Sequence, residues 1–212
     1  MDNRIEKPVI SLALCLILTA CSSSTNSKSV EMKSSTAPTA PAGPPEPVAA
    51  QSAYFEMYKP ARQWSSDVMP LSLAAGEVPG IKNAGGKAGM WTAVFVSPSK
   101  REARTLFYSV TDSGSAIRKG VSIGGAQVWS GATPKSKPFS TNEFSVNSDV
   151  AYATASQKAD AWIKKNPGKV LSIYLGSEAR FAGPVWYFMW GDKKSGYLAF
   201  VSATTGLALT GK

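Results

Sequence analysis

The chain has 212 residues, contains no histidine and carries a formal net charge of +9. Its two cysteines, Cys15 and Cys21, both lie near the N-terminus, so the rest of the chain can form neither a disulfide nor a reactive thiolate. Without histidine, the chain also lacks the commonest general base and the commonest transition-metal ligand. Composition therefore argues against catalysis by His or Cys, and we predict no cofactor and no metal site.

The first 21 residues have the layout of a lipoprotein signal. Arg4 and Lys7 precede an apolar run over residues 9–18, which is about half the length of a membrane-spanning helix. The run ends in Leu18-Thr19-Ala20-Cys21, a lipobox, which predicts that residues 1–20 are removed and that acyl chains are attached to the cysteine. The alternative is an ordinary signal peptide with a cysteine there by chance, which would yield a soluble periplasmic or secreted protein.

Residues 21–50 are predicted to be a disordered, acylated tether. They are mostly Ser, Thr, Ala, Pro and Gly, so they cannot bury enough apolar surface to fold. The proline-rich part, residues 37–47, favours an extended conformation of about 3 Å per residue that would hold a domain away from the bilayer. Ser22 replaces the aspartate that retains Gram-negative lipoproteins at the inner membrane, and by that resemblance we expect an outer-membrane anchor facing the periplasm.

The whole positive excess falls on the residues after the tether, because the charges of the signal and of the tether each sum to zero. In a cell envelope, a basic surface raises encounter rates with lipopolysaccharide phosphates, anionic lipids and acidic proteins. The simpler interpretation is a solvated surface on which positive charge is dispersed. Nucleic acid is not an expected partner of an exported, lipid-tethered chain.

An apolar stripe predicts a helix at the start of residues 51–145. Its members are spaced by four, four and three positions: Ala53, Met57, Ala61 and Trp64. Predicted strands follow at residues 68–74, 90–96 and 105–111. Pro60 lies inside the helical stretch, where proline costs about 3 kcal/mol, so we expect this helix to be kinked or to begin anew there.

Residues 146–212 show the same pattern more clearly. The stripe is Ala151, Ala155, Ala159 and Trp162, and Asn147-Ser148-Asp149 offers capping side chains. Predicted strands follow at residues 169–175, 185–190 and 197–203. We therefore predict an α+β fold of two tandem repeats, each with one helix and a three-stranded antiparallel meander, packed together. The alternative is two generic helix-and-meander segments that match by accident.

The predicted strand at residues 185–190 is apolar on both faces. Trp186, Phe188 and Trp190 alternate onto one face, and Tyr187 and Met189 onto the other. The structural interpretation, which we favour, is a central strand covered on both sides. The functional interpretation is an aromatic groove for an extended peptide or a glycan, with Trp186, Phe188 and Trp190 as its tentative binding residues.

The second unit resembles the PepSY family over about sixty residues. The similarity is carried by Ala159-Asp160-Ala161-Trp162, Asn166-Pro167-Gly168, Trp186-Tyr187-Phe188 and Ser202-Ala203-Thr204-Thr205-Gly206. Ser202 replaces the carboxylate of the family's D-A-x-T-G motif, and the first unit is more divergent. The resemblance implies a non-catalytic binding or inhibitory module of the envelope, of a kind often linked to peptidases.

No pattern in the chain indicates an enzyme. Asp149 and Asp160 share a helical face but stand about 16 Å apart at 1.5 Å per residue, too far to act on one bond. We therefore expect no catalytic residues and a membrane-anchored module that binds a periplasmic or envelope protein or peptide. The alternative is a structural envelope lipoprotein whose basic surface contacts polyanions such as lipopolysaccharide or cell wall.

Overall fold

A computed structural model describes residues 43–115 and 117–211. Within them the chain forms helices α1 (Ala50–Trp64) and α2 (Ser148–Lys165) and a short 3-10 helix, Thr141–Glu143. The strands are β1 (Val48–Ala49), β2 (Met69–Gly76), β3 (Lys87–Ala88), β4 (Met90–Ser97), β5 (Glu102–Ser109), β6 (Gly120–Val128), β7 (Leu171–Gly176), β8 (Val185–Trp190), β9 (Tyr197–Ser202) and β10 (Ala208–Leu209). Neither of these helices is long and apolar enough to cross a membrane.

Eight strands form one antiparallel sheet in the order β10-β9-β8-β7-β2-β4-β5-β6, while β1 pairs with β3 separately. At the centre, Ser72, Leu73 and Ala74 of β2 pair with Gly176, Leu175 and Tyr174 of β7, and we call this junction the seam. From the seam, the strands after each helix pair outward in chain order: β2, β4 and β5 on one side, β7, β8 and β9 on the other. The α+β class is confirmed as two helices with a large antiparallel sheet, and the tandem repeat stays a prediction.

Both helices pack against the same face of the sheet and enclose a common core. The predicted stripe residues Ala53, Met57 and Ala61 of α1 are buried, as are Ala151, Ala155 and Ala159 of α2. The sheet supplies large side chains opposite them: Leu73, Trp91, Phe95, Leu106, Leu175, Trp186 and Phe188. Small residues on the helices let the helix backbones lie close to this aromatic layer, so burial of the layer drives the packing.

Helix α1 runs through Pro60 without interruption, so the expectation that it begins anew at Pro60 is wrong. Met57 and Ala61, on either side of the proline in sequence, are fully buried against the sheet. The burial of these neighbours offsets the hydrogen bond that proline removes, because tertiary packing contributes more to a helix than intrinsic propensity does.

The N-terminus of α1 is capped by residues that begin α2. Ala49 at the N-cap has no side-chain acceptor, and instead the Ala50 N–H donates to Ser148 Oγ at 2.9 Å. The Gln51 N–H donates to Asn147 Oδ1 at 3.0 Å, and the same oxygen accepts from the Ser148 N–H at 2.8 Å. Asn147 thus caps α2 as predicted and also joins the two helix ends.

Several parts of the fold differ from the sequence prediction, among them the short strands β3 and β10, which were not predicted. Strand β6 was not predicted, and the predicted strand at residues 105–111 lies at Glu102–Ser109 instead. The ordered structure also includes Val48 and Ala49, shortly before the predicted start at Gln51, because β1 pairs with Lys87–Ala88.

Candidate functional site

The predicted binding residues of β8 lie in the core. Trp186 and Phe188 have no exposed surface, and Trp190 is 5% exposed. The Trp186 indole N–H donates to the Val146 carbonyl at 2.9 Å, so its one polar atom is satisfied inside the protein. Trp186 and Phe188 therefore stabilise the fold and form no open groove in this structure, whereas Trp190 borders a cleft.

The opposite face of β8 carries a second aromatic cluster. Tyr187 contacts Tyr174, Phe181 and Phe200, with ring centroids 5.6, 6.4 and 5.2 Å away respectively. The Arg180 guanidinium lies 5.0 Å from the centre of the Phe200 ring, over the edge of the cluster. Burial raises the pKa of Tyr187 well above its usual range, as does nearby Glu178. Aromatic side chains of the second unit thus cover Tyr187 on the far side of β8.

A cleft of about 830 Å³ opens beside Trp190. One wall is the loop between β2 and β3, residues 77–85, and the other is formed by α2 and the segment leading into β7. Its apolar surface comes from Val78, Ile81, Tyr152, Ile163, Val170, Leu171 and Trp190. Glu77, Lys82 and Lys169 add charge to its walls. The cleft combines an apolar floor with polar groups, which is the general composition of a ligand site.

Five lysines lie where α2 ends and β8 turns into β9, and one of them, Lys169, lines the cleft. They are Lys164, Lys165, Lys169, Lys193 and Lys194, and all are exposed. The Gly191 N–H donates to the Val170 carbonyl at 2.8 Å, which joins the turn to the segment before β7. The pKa of Asp192 is lowered by the backbone N–H groups of residues 195 and 194, by the Ser195 hydroxyl and, to a smaller extent, by the charge of Lys169. We call Lys164, Lys165, Lys169, Lys193 and Lys194 the lysine cluster.

Strand β6 is a free edge of the large sheet. It pairs with β5 on one side and with no strand of the described chain on the other. No residue of Gly120–Val128 is charged, and Ile123 and Val128 are 56% and 85% exposed. A bulge interrupts the pairing where Gly124 and Gly125 lie opposite Thr105. The unpaired backbone groups of an edge strand are a template for pairing with another chain.

A serine-rich site around Asp67 joins two loops. The Asp67 carboxylate accepts hydrogen bonds from Ser65 Oγ at 2.6 Å, Ser97 Oγ at 2.7 Å and the Ser99 N–H at 2.7 Å. These bonds hold the pKa of Asp67 well below its usual range. Sequence reasoning missed this site, because its residues lie in separate segments of the chain. The bonds from Ser97 and Ser99 hold the loop before β2 to the end of β4 and the turn that follows it.

Metal-ligating side chains do not cluster within residues 43–115 and 117–211. No three or more His, Cys, Asp and Glu side chains in these ranges are grouped so as to hold a metal ion. Asp149 and Asp160 occupy α2, as predicted. Cys21, the predicted acylation site, lies outside the described residues, as do residues 1–20 and most of the predicted tether.

No protein-family model matches the chain, and no curated protein sequence is similar to it. The resemblance of the second unit to PepSY modules therefore stays a prediction. Among solved structures, the chain is similar to a crystal structure of a candidate lipoprotein from Clostridium difficile, with 9% sequence identity and a TM-score of 0.44. The alignment covers 78% of this chain and 91% of the other. The function has to be inferred from the residues and geometry of this chain.

Proposed function

We propose that this protein is a periplasmic lipoprotein anchored through Cys21 that binds a protein or peptide partner without catalysing a reaction. The observation that carries the proposal is the free edge of β6. An extended partner segment would add a ninth strand there, and main-chain hydrogen bonds would supply the affinity.

The composition of β6 supports this mode of binding. Long edge strands usually carry Lys, Pro or inward-pointing charges that prevent pairing with other chains. Residues Gly120–Val128 have neither charge nor proline, although they form a nine-residue edge. The bulge at Gly124 and Gly125 divides the edge in two and offers a partner Ile123 on one side and Val128 on the other.

The tandem PepSY-like organisation is part of the proposal. Aligning the two helices on their alanine stripes also matches Val48 with Val146 and Tyr54 with Tyr152. Two helix-and-meander units that share one sheet would present a rigid body, and the family resemblance favours regulation of a peptidase as its task. The outer membrane, with the domain facing the periplasm, is the proposed location.

A capture experiment tests strand addition. The tagged full-length chain is cross-linked in intact envelopes, extracted, and washed at low salt and at about 0.5 M salt, which screens surface charge. We expect a partner that is retained at both salt concentrations and is lost with Ile123→Lys, because a lysine on an edge opposes pairing. Val150→Lys is the matched control, since Val150 is 58% exposed on α2, away from the edge. If no protein is retained at either salt concentration, the proposal fails.

The alternative function is a structural envelope lipoprotein that contacts polyanions. The lysine cluster favours it, because its five lysines are exposed and lie where α2 ends and β8 turns into β9. Contact of this kind would disappear at about 0.5 M salt and would be insensitive to Ile123→Lys. The same capture experiment therefore separates the two functions.

A further inference from the structure

One end of the large sheet brings together the cleft, the lysine cluster and the entry point of the chain. The registers place Gly76, Met90, Leu171, Trp190 and Tyr197 at this end. The loop that walls the cleft leaves β2 here, and the turn carrying Lys193 and Lys194 follows Trp190. We call this end of the sheet, with the loop and the turn that leave it, the basic end.

Packing holds together the two segments that carry most of these lysines, the end of α2 and the turn between β8 and β9. The Trp162 ring of α2 lies 6.3 Å from the Tyr197 ring of β9, and the Tyr197 hydroxyl donates to the Lys158 carbonyl at 3.0 Å. A side chain at Gly191 would come within 3.5 Å of Trp162, so the turn lies directly against the helix. These contacts fix the end of α2 beside the β8–β9 turn and gather the lysine cluster on one surface.

Positive charge exceeds negative charge on this surface. Asp160 forms an ion pair with Lys164 at 2.8 Å. The Asp192 carboxylate accepts hydrogen bonds from the backbone N–H groups of Lys194 and Ser195 in its own turn. Lys165, Lys169, Lys193 and Lys194 make no ion pair within the described chain. Val170 stands among them with 63% of its surface exposed, so the surface combines cations with an apolar contact.

The chain enters the folded domain at the same end. Val48 pairs with Ala88, two residues before β4 begins, and Ala49 pairs with Lys87. Lys87 also bridges to Ala84 in the wall of the cleft. An anchor at Cys21 would therefore reach the folded domain through the predicted tether, and the last residues of that tether enter at the basic end.

We propose that the basic end docks on the anionic surface of the bilayer that carries the lipid anchor. The proposal rests on the proposed anchor for its orientation and on charge complementarity for its affinity. Lipid phosphates would be neutralised by Lys169, Lys193 and Lys194, while Val170 enters the interface between headgroups and acyl chains. Docking would turn β6, on the far edge of the sheet, sideways to the membrane and leave it free for a partner.

Vesicle sedimentation of the full-length Cys21→Ser chain tests the docking without any acyl chain. At low salt we expect binding to phosphatidylcholine vesicles that contain phosphatidylglycerol and much weaker binding to pure phosphatidylcholine. Each lysine near an anionic membrane surface raises the affinity about fivefold. Replacing Lys169, Lys193 and Lys194 together by Gln should therefore weaken binding about a hundredfold.

The matched control replaces Lys100, Lys135 and Lys137 by Gln. It removes the same charge at the opposite end of the sheet, where Lys137 N–H donates to the Ser177 carbonyl just after β7 ends. We expect the control to keep most of the binding. Equal losses in both triple variants, or equal binding to both kinds of vesicle, would overturn the docking proposal. Because no variant here is acylated, either result is independent of whether Cys21 anchors the native protein.

Discussion

The rings of Trp91 and Trp186 meet across the seam, with centroids 6.4 Å apart and planes at 69°. Each indole N–H donates to the carbonyl of a valine two residues before a helix: Trp91 to Val48 at 3.0 Å and Trp186 to Val146 at 2.9 Å. The two tryptophans thus make the same bond in the two halves of the chain. Both are fully buried, so this pair ties each helix start to the second strand of the large sheet that follows it.

Replacing either tryptophan by phenylalanine should destabilise the protein. Trp91→Phe leaves the Val48 carbonyl without its donor and opens a small cavity, and we expect a loss of about 2–4 kcal/mol in the free energy of unfolding. If the two units are equivalent, Trp186→Phe should lower the free energy of unfolding by a similar amount. Urea unfolding followed by circular dichroism measures both.

The control for this pair is Trp129→Phe. Trp129 lies just after β6 and is partly exposed, so we expect a change within about 1 kcal/mol. A Trp91→Phe variant as stable as the Trp129→Phe variant would contradict the structural role of the indole bond.

Ser148→Ala should weaken the junction of the two helices. The Ser148 hydroxyl is buried and accepts from the Ala50 N–H, so its removal leaves that N–H without its acceptor. We expect a loss of about 1–2 kcal/mol by chemical denaturation. Ser156→Ala, which removes a hydroxyl bonded only within α2, should cost much less. Equal effects of the two substitutions would show that the bond between helices contributes nothing.

The Asp67 site should make stability depend on acid pH. Hydrogen bonds from Ser65, Ser97 and Ser99 lower the pKa of Asp67 below its ordinary value of 3.8. A lowered pKa means that the carboxylate stabilises the fold above that value and that the contribution is lost as the pH falls toward the folded-state pKa. Thermal midpoints of the native chain and Asp67→Asn should therefore differ by a constant amount above about pH 5 and converge below about pH 4.

Asp160→Asn provides the comparison for Asp67. Asp160 pairs with Lys164 on the exposed face of α2, where ion pairs contribute little. We expect the thermal midpoint of the Asp160→Asn variant to stay close to that of the native chain at every pH. A constant difference between Asp67→Asn and the native chain down to pH 2 would rule out the proposed role of the Asp67 carboxylate.

Cys21→Ser should release the protein from membranes without unfolding it. Acyl chains contribute about 0.8 kcal/mol per buried methylene, and the basic end alone would bind reversibly and in a salt-dependent way. Fractionation of cells at about 0.5 M salt should move the variant to the soluble fraction while the native chain sediments. Continued sedimentation of the variant at that salt concentration would count against acylation as the anchor.

The elements that were predicted well depend on local sequence patterns. The alanine stripe of α2 and its cap at Asn147 lie within a few residues of each other, and Val185–Trp190 was bounded correctly because its apolar run is continuous. Strand β6 escaped prediction because Gly124-Gly125 breaks its alternation. The reason for Gly124 lies in β5, since a side chain at this position would come within 2.9 Å of the Thr105 carbonyl.

The candidate site was harder to predict, because its parts meet only in the folded sheet. Trp190 was identified from its strand, but the sequence does not place residues 77–85 opposite α2. Lys169 and Lys193 come together only because Leu171 pairs with Trp190. The bond from Ala50 to Ser148 spans 98 residues, and nothing local to α1 indicates it.

The seam between β2 and β7 has the geometry of a contact between two subunits. Two equivalent strands that pair antiparallel are related by a twofold axis, as in a symmetric dimer. A lone helix-and-meander unit would complete such a sheet only by meeting a second copy, at a rate set by its concentration. In this protein both units belong to one chain, so their association is intramolecular. The sheet can therefore form in a single molecule, whatever the concentration of the protein.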